Sequence, residues 1–169
     1  MTNVLPVTIT PVESADDRAW LAELWDDIWS GQTMVLADLT VTLDELLPTS
    51  LLAWQIGTRV GAITWFPRDG AWEIVSLNAT VSGRGIGTAL LDAIEERATL
   101  ARVPQLRLVT TNDNLDALGF YQKRGYRLAE LRVGAVDRAR QAKPAIPLLG
   151  ERDIPIHDEI VLTKQLAER

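Results

Sequence analysis

The stretch Val81-Ser82-Gly83-Arg84-Gly85-Ile86-Gly87-Thr88 joins a strand-like run to a helix-like run. Its glycines stand at alternate positions. Glycine permits positive φ and leaves no Cβ to keep a ligand off the backbone. The first amides of a helix have no partner within the helix, and they point outward with the positive end of the helix dipole. The stretch therefore predicts a site for a phosphate-bearing ligand.

The residues on either side of this turn support a strand-turn-helix interpretation. Residues 73–77 are strand-like, and apolar residues then recur at helical spacing, namely Leu90, Leu91, Ile94, Ala98 and Ala101. A P-loop is excluded, because no Gly-Lys-Ser/Thr follows the glycines. The glycine spacing, together with the lack of an acidic residue at the end of the run 105–109, disfavours a nucleotide-binding oxidoreductase.

A second stretch, residues 110–126, follows one strand later and contains Asn114, Ala117, Phe120, Tyr121, Gly125 and Tyr126. Together the two stretches resemble the GNAT superfamily of acyl-CoA-dependent N-acetyltransferases. The patterns of that family are Arg/Gln-x-x-Gly-x-Gly/Ala and Asn-x-x-Ala-x-x-Phe/Leu-Tyr-x-x-x-Gly-Phe/Tyr. Ser82 replaces the usual Arg or Gln, and the other positions match. Residues 134–137 and 154–160 also resemble one uncharacterised branch of the superfamily.

The pattern of elements predicts an α+β fold with mixed α/β layers, in one domain over residues 1–169. We expect strands at 7–10, 51–56, 60–66, 71–77, 105–109, 126–133 and 157–162, and helices at 15–29, 43–47, 115–124 and 136–141. Ser14 is the expected N-cap of the first helix, and Ser30-Gly31 its end. Residues 57–59 and 67–70 are expected turns. Residues 32–41 fit either a short strand or an extended segment.

The resemblance implies a central, mostly antiparallel, splayed sheet of about six to seven strands flanked by helices. Residues 134–155 form a long excursion from this pattern, and such excursions are often lids or interface elements. In the family, the region after the first helix lines the acceptor side. The resemblance therefore makes Trp25 and Trp29 candidates for substrate contact, and core packing is the alternative.

Composition excludes several classes of function. The chain of 169 residues has no cysteine and one histidine, which argues against disulfides, a cysteine-linked acyl-enzyme and a metal site. A net charge of −6 without a basic run disfavours nucleic acid as a partner. No apolar run approaches the roughly 20 residues of a membrane span, and residues 1–6 do not resemble a secretion signal. We therefore expect a cytoplasmic protein that binds no membrane.

The resemblance implies that acetyl-CoA is the co-substrate and that coenzyme A is the product that it leaves. In the family, the pantetheine lies between two splayed strands and bonds to the end of the first, which corresponds here to Leu77, Asn78 and Ala79. The backbone of the glycine stretch would hold the pyrophosphate, through Gly83, Arg84, Gly85, Ile86, Gly87 and Thr88. Asn114 is an expected helix N-cap, and contact with the pantetheine is its second interpretation. Many members of the family dimerise, so the resemblance is also consistent with a homodimer.

Two residues are the candidates for the acid and base of amide formation. The tyrosine that matches Tyr121 donates a proton to the departing thiolate in the family, and an ordinary phenol is neutral at pH 7. A packed aromatic residue is the alternative. Glu73 lies on the strand where many relatives carry a catalytic glutamate, and a solvated strand carboxylate is its alternative. His157, Asp158 and Glu159 are further candidates for the base, and an amine that arrives neutral would need none.

The sequence is consistent with three functions. The first is an N-acetyltransferase that acts on a small-molecule or peptide amine by direct attack in a ternary complex, with a backbone amide near Leu77 as the oxyanion donor. The second is a non-catalytic sensor or interaction domain that binds coenzyme A. The third is the nucleotide-binding oxidoreductase. Retention of Tyr121 favours the first, and Ser82 favours the second.

Overall fold

The computed structural model describes residues 5–166. These residues form five helices: α1 (Ala15–Trp29), α2 (Leu43–Leu46), α3 (Ile86–Leu100), α4 (Leu115–Lys123) and α5 (Ala135–Ala142). They also form nine strands: β1 (Thr8–Pro11), β2 (Thr33–Leu36), β3 (Leu39–Thr42), β4 (Ser50–Gln55), β5 (Thr58–Arg68), β6 (Ala71–Ala79), β7 (Gln105–Thr111), β8 (Arg127–Arg132) and β9 (Glu159–Gln165). Residues 1–4 and 167–169 lie outside the described part, so most of the segment 1–6, for which no secretion signal is predicted, is not described.

Seven of these strands form one sheet, in the order β1-β4-β5-β6-β7-β9-β8. All neighbours are antiparallel except β6 and β7, which are parallel because α3 connects them across the sheet. The predicted α+β fold with a mostly antiparallel sheet of about six to seven strands is therefore confirmed. Within residues 5–166, none of the helices combines the length and the apolar composition needed to cross a membrane.

Helix α1 begins and ends where the sequence predicts. Ser14 accepts a hydrogen bond from the Asp17 amide at 3.0 Å, and the Asp17 carboxylate accepts one from the Ser14 amide, so a capping box is formed. Ser30 adopts the left-handed conformation at the other end, with φ of 54°. The predicted apolar stripe of α3 is correct except at Ala101, which is exposed because it caps the helix after Leu100.

The segment 32–41, left open between a short strand and an extended segment, contains the short strand β2 and most of β3, which pair as a hairpin apart from the main sheet. Two turn predictions need correction. The turn predicted at 67–70 is only Asp69-Gly70, because positive φ at both residues makes a two-residue turn and lets β5 continue through Pro67 and Arg68. Likewise Ile56-Gly57, again with positive φ, replaces the turn predicted at 57–59.

The two faces of the sheet carry separate apolar cores. One core lies under α3 and α4, and its buried members include Ile63, Ile74, Leu90, Leu108 and Tyr121. The other lies under α1 and the β2–β3 hairpin, and its buried members include Leu21, Trp25, Met34, Leu52 and Val75. We call these the α3 face and the α1 face. The sheet therefore separates two environments, and any opening through it would connect them.

Candidate active site

Strands β6 and β7 separate half-way along their length. Their paired residues end at Ile74 and Leu108, although β6 continues to Ala79 and β7 to Thr111. A bulge in β6 lies at this point, because Thr64 pairs with Ser76 while Trp65 pairs with Ile74, which leaves Val75 as the extra residue. Beyond the bulge, the edge of β6 that faces β7 offers backbone groups to a ligand.

A cavity of about 520 Å³ occupies the opening between these strands. Its wall includes Ile74, Leu108 and Tyr121 from the core of the α3 face, together with Met34 and Val75 from the core of the α1 face. The cavity therefore passes through the sheet. Its volume lies within the roughly 300–1,000 Å³ that is usual for small-molecule sites.

The glycine stretch lies at the α3 end of this opening. Gly83 and Gly85 have φ of 74° and 73°, so both use the freedom that glycine provides. Helix α3 starts close against the sheet: a Cβ on Gly61 of β5 would lie 2.6 Å from the Asn78 carbonyl oxygen and 2.8 Å from Ile86. The outward amides at the start of α3 are therefore held beside the end of β6.

The predicted cofactor residues fall into two groups. Leu77, Asn78 and Asn114 line the cavity, whereas Ala79 and the glycine stretch continue outward from it along β6 and α3. The side-chain oxygen of Asn78 is buried without a hydrogen-bond partner among the described residues, so it can accept a hydrogen bond from a ligand. Asn114 caps α4 as predicted, since its side-chain oxygen accepts from the Ala117 amide at 3.1 Å.

Tyr121 lines the cavity from α4 and is 8% exposed. Its ring lies edge-on between Phe120 and Tyr126, with centroid distances of 5.2 and 5.5 Å. Burial raises the pKa of Tyr121 well above the ordinary value of a phenol, so the hydroxyl stays protonated at neutral pH. Tyr121 is therefore both a packed core residue and a cavity-lining residue, and its phenol can donate a proton into the cavity.

Glu73 lies on the α1 face but outside the set of described residues that line the cavity. Its side chain is 1% exposed, so it is not the solvated carboxylate that was the alternative interpretation. One oxygen accepts a hydrogen bond from Arg68 at 3.2 Å and lies 3.7 Å from Arg107 Nε. This ion-paired position favours a structural role over direct contact with an acceptor.

The three alternative bases near β9 are placed differently. His157 is exposed and its Nδ1 lies 2.9 Å from an Asp137 carboxylate oxygen, and Asp158 accepts from the Gly134 amide at 2.7 Å. Glu159 alone of the three lines the cavity, and its side chain is 1% exposed. It accepts from the Ala37 amide at 2.9 Å and from Arg132 at 3.4 Å. Burial outweighs these bonds and raises the pKa of Glu159.

The excursion (residues 134–155) forms one wall of the cavity. The Asp113 carboxylate anchors it by accepting a hydrogen bond from the Glu151 amide at 3.1 Å, while Thr111 Oγ1 of β7 donates to the other carboxylate oxygen at 2.5 Å. Gly150 passes so close to this carboxylate that a Cβ there would overlap it. Asn112 accepts from the His157 and Asp158 amides at 3.0 Å each. Asn112 also donates to the Pro155 carbonyl oxygen at 2.9 Å, so two consecutive polar residues attach the β7–α4 loop to the excursion.

Two functional candidates carried no usable sequence signal. Arg124 at the end of α4 donates to Thr88 Oγ1 in α3, so its positive charge lies beside the first turn of that helix. Lys143 donates to the Trp29 and Thr33 carbonyl oxygens at 2.6 and 2.8 Å and lines the cavity. The position of each residue depends on a contact with a segment that is distant in sequence, so no local pattern could predict it. Of the two tryptophans, Trp29 lines the cavity and Trp25 belongs to the core.

Known proteins resemble this chain in sequence and in fold. A sequence model of the acetyltransferase (GNAT) family matches residues 15–126. The Bacillus subtilis (strain 168) protein YxbD, described as uncharacterised, is 46% identical over 164 residues, which cover 97% of this chain and 99% of that protein. YdhI of the same strain, also described as uncharacterised, is 38% identical over 144 residues, covering 85% and 89%. A GNAT family acetyltransferase from Elizabethkingia anophelis, solved with acetyl-CoA bound, has a TM-score of 0.68 at 22% identity, covering 95% of this chain and 98% of that one.

Proposed function

Because the chain belongs to the GNAT acetyltransferase family, we propose that it transfers an acetyl group from acetyl-CoA to an amine by direct attack in a ternary complex. The observation that carries this proposal is the opening between β6 and β7, which connects the two faces of the sheet and has Tyr121 in its wall. A cysteine-linked acyl-enzyme is ruled out by composition, since the chain has no cysteine.

The residues around the opening suit coenzyme A. The free edge of β6 at Leu77, Asn78 and Ala79 offers backbone groups to the pantetheine amides, and Asn114 lines the same channel. The amides from Gly83 to Thr88 suit the pyrophosphate, because they stand at the positive end of α3. Arg124 adds a cation next to that helix end. Ser82 removes one family contact, and we propose that Arg124 makes up part of the lost affinity.

The side chains around the cavity support the following chemistry. The lone pair of the amine nitrogen forms the new N–C bond, and an amide near Leu77 stabilises the charge that develops on the carbonyl oxygen. As the C–S bond breaks, its electron pair goes to sulfur, which takes the proton of the Tyr121 hydroxyl. The surplus proton of the nitrogen goes to a carboxylate or to water. Glu73 is the base that the family pattern suggests, but its ion pairs with Arg68 and Arg107 do not support that role.

Thermal stability with and without acetyl-CoA tests the first half of the proposal. A ligand that binds only the native state adds about 2.7 kcal/mol at 100 times its Kd, which corresponds to a rise in Tm of roughly 5–10 °C for a chain of this size. NADH should give no rise. Arg124→Ala should reduce the shift caused by acetyl-CoA, whereas Arg127→Ala, an exposed change at the start of β8, should not.

Release of free coenzyme A thiol in the presence of amines tests the second half. An acetyltransferase releases the thiol only when a suitable amine is present. A stabilising shift with acetyl-CoA but no release with any small amine or peptide would favour the second candidate, a coenzyme A sensor, for which the substitution at Ser82 is the specific observation. The absence of any shift would contradict both candidates.

A further inference from the structure

The α1 side of the cavity has two apolar walls that face each other. One wall comes from the end of α1 and from β2, with Ile28 and Met34 among its members. The other comes from the excursion, with Val136 and Ile146 among its members. An occupant of this space would therefore bury apolar surface on both sides.

Lys143 joins these two walls. Its ammonium group donates to the Trp29 carbonyl at 2.6 Å and to the Thr33 carbonyl at 2.8 Å, across more than 100 residues of sequence. Arg140 holds the same segment in shape by donating to the carbonyls of Ile146, Pro147 and Ile156 at 2.8–3.0 Å. The Lys143 bonds cross from one wall to the other on the α1 side, which favours a small molecule over a polypeptide as the occupant.

The two carboxylates that line this space differ in the strength of the hydrogen bonds that they accept. Both oxygens of Asp113 are engaged by Thr111 and Glu151. Glu159 also has both oxygens engaged, Oε1 by the Ala37 amide at 2.9 Å and Oε2 by Arg132 at 3.4 Å, but the second bond is long. A carboxylate has about four lone-pair sites, so Glu159 keeps the capacity to accept an N–H. The cation of Lys143 in the same cavity opposes a second ammonium group on the ligand.

We propose that the acceptor is a small monoamine with an apolar substituent, bound between these walls with its nitrogen at the Glu159 carboxylate. This inference rests on the proposed acetyl transfer and assigns the acceptor side of that reaction. Glu159 takes one proton from the nitrogen as the N–C bond forms, while sulfur leaves with the C–S electron pair and the Tyr121 proton. The two side chains then regain their starting states by exchanging one proton with water.

An acceptor panel tests the chemical class, with the full chain, acetyl-CoA and thiol release as the readout. The panel contains 2-phenylethylamine, 3-methylbutylamine, spermidine, alanine and a tetrapeptide with a free N-terminus. Burial of an apolar substituent contributes about 1.5–3 kcal/mol, so kcat/KM for the two apolar monoamines should exceed the other values by about 10- to 100-fold. Preference for the peptide, alanine or spermidine would overturn the inference and leave acetyl transfer standing.

Glu159→Gln tests the residue. We expect kcat/KM for the best monoamine to fall about 100-fold, while acetyl-CoA raises Tm as in the parent protein. Glu95→Gln is the matched control, because Glu95 is a partly buried carboxylate paired with Lys164 at 2.8 Å and lies on α3, away from the cavity lining; it should change kcat/KM less than 3-fold. Unchanged kcat/KM in Glu159→Gln would contradict the role of Glu159.

A second variant keeps the test decisive if Glu159→Gln does not fold. Ala139 lines the cavity from α5, and Ala139→Phe would fill the apolar space. We expect KM for the monoamine to rise at least 10-fold with KM for acetyl-CoA unchanged. An unchanged monoamine KM would contradict the site. A protein that binds acetyl-CoA but acetylates none of the panel would refute the proposed transfer itself, and the inference with it.

Discussion

At the scale of single residues, the sequence predicted where a residue lies on its element better than what surrounds it. Asn114 and Tyr121 were selected because a short motif fixes their spacing along α4 and its cap, and both line the cavity. Glu73 was selected by similar reasoning, yet the motif contains no information about Arg68 and Arg107, which come from other strands and surround it. The β6 bulge at Val75 adds to this difficulty, because it breaks the side-chain alternation that a sequence argument assumes.

Tyr121→Phe should lower kcat about 10-fold or more and leave KM for acetyl-CoA nearly unchanged, because the change removes a proton donor and little binding surface. Steady-state kinetics with a fixed amine measure both constants. Tyr126→Phe is the matched control, since this neighbouring tyrosine is 2% exposed and lies outside the described lining. Equal kcat for Tyr121→Phe and the parent protein would remove the phenol from the mechanism.

At the scale of elements, helices were predicted within a few residues, whereas contacts between elements were not. Helix α1 was exact because its cap and its apolar stripe are local. The excursion was recognised as an insertion, but its attachment to Asp113 brings together residues far apart in sequence. Pairing of β2 with β3 was missed, because four-residue strands give too short a pattern to separate from an extended segment.

Gly150→Ala should lower the free energy of unfolding by about 2 kcal/mol, since overpacking a close contact costs roughly 1–3 kcal/mol. The added Cβ would overlap the Asp113 carboxylate and displace the excursion, so KM for the amine should also rise. Gly119→Ala is the control: a Cβ there meets open space, and alanine favours a helix. Urea unfolding compares the two variants, and equal stabilities would refute the anchor.

At the scale of the whole molecule, charge holds the β2–β3 hairpin against the sheet. Asp38, in the turn of that hairpin, accepts two hydrogen bonds from Arg132 at 2.8 and 2.9 Å and one from Arg68 at 3.0 Å, and Arg107 lies 3.4 Å away. Burial raises the pKa of Asp38, but the bonds and charges of Arg132 and Arg68 outweigh burial and keep the pKa below its ordinary value. One carboxylate thus connects the hairpin to three strands.

Asp38→Asn should lower stability at pH 7 by about 1–2 kcal/mol, between the values for exposed and buried ion pairs, and Tm by roughly 3–6 °C. Because the folded pKa is depressed, this contribution is present above the unfolded pKa of about 3.9 and disappears as pH falls below it. Asp69→Asn is the control, since Asp69 also pairs with Arg68 but is 87% exposed. A difference that stays the same from pH 7 to pH 2 would contradict the ion-pair explanation.

The separation of β6 from β7 affects how the reactants enter the site and how the products leave it. A pocket at the end of a sheet has one entrance, whereas a gap through a sheet has two, one on each side. Two reactants could then arrive by different routes, and neither product would need to wait for the other to leave. The parting of two strands would in that way free the order of binding and release from the limit that a single entrance imposes.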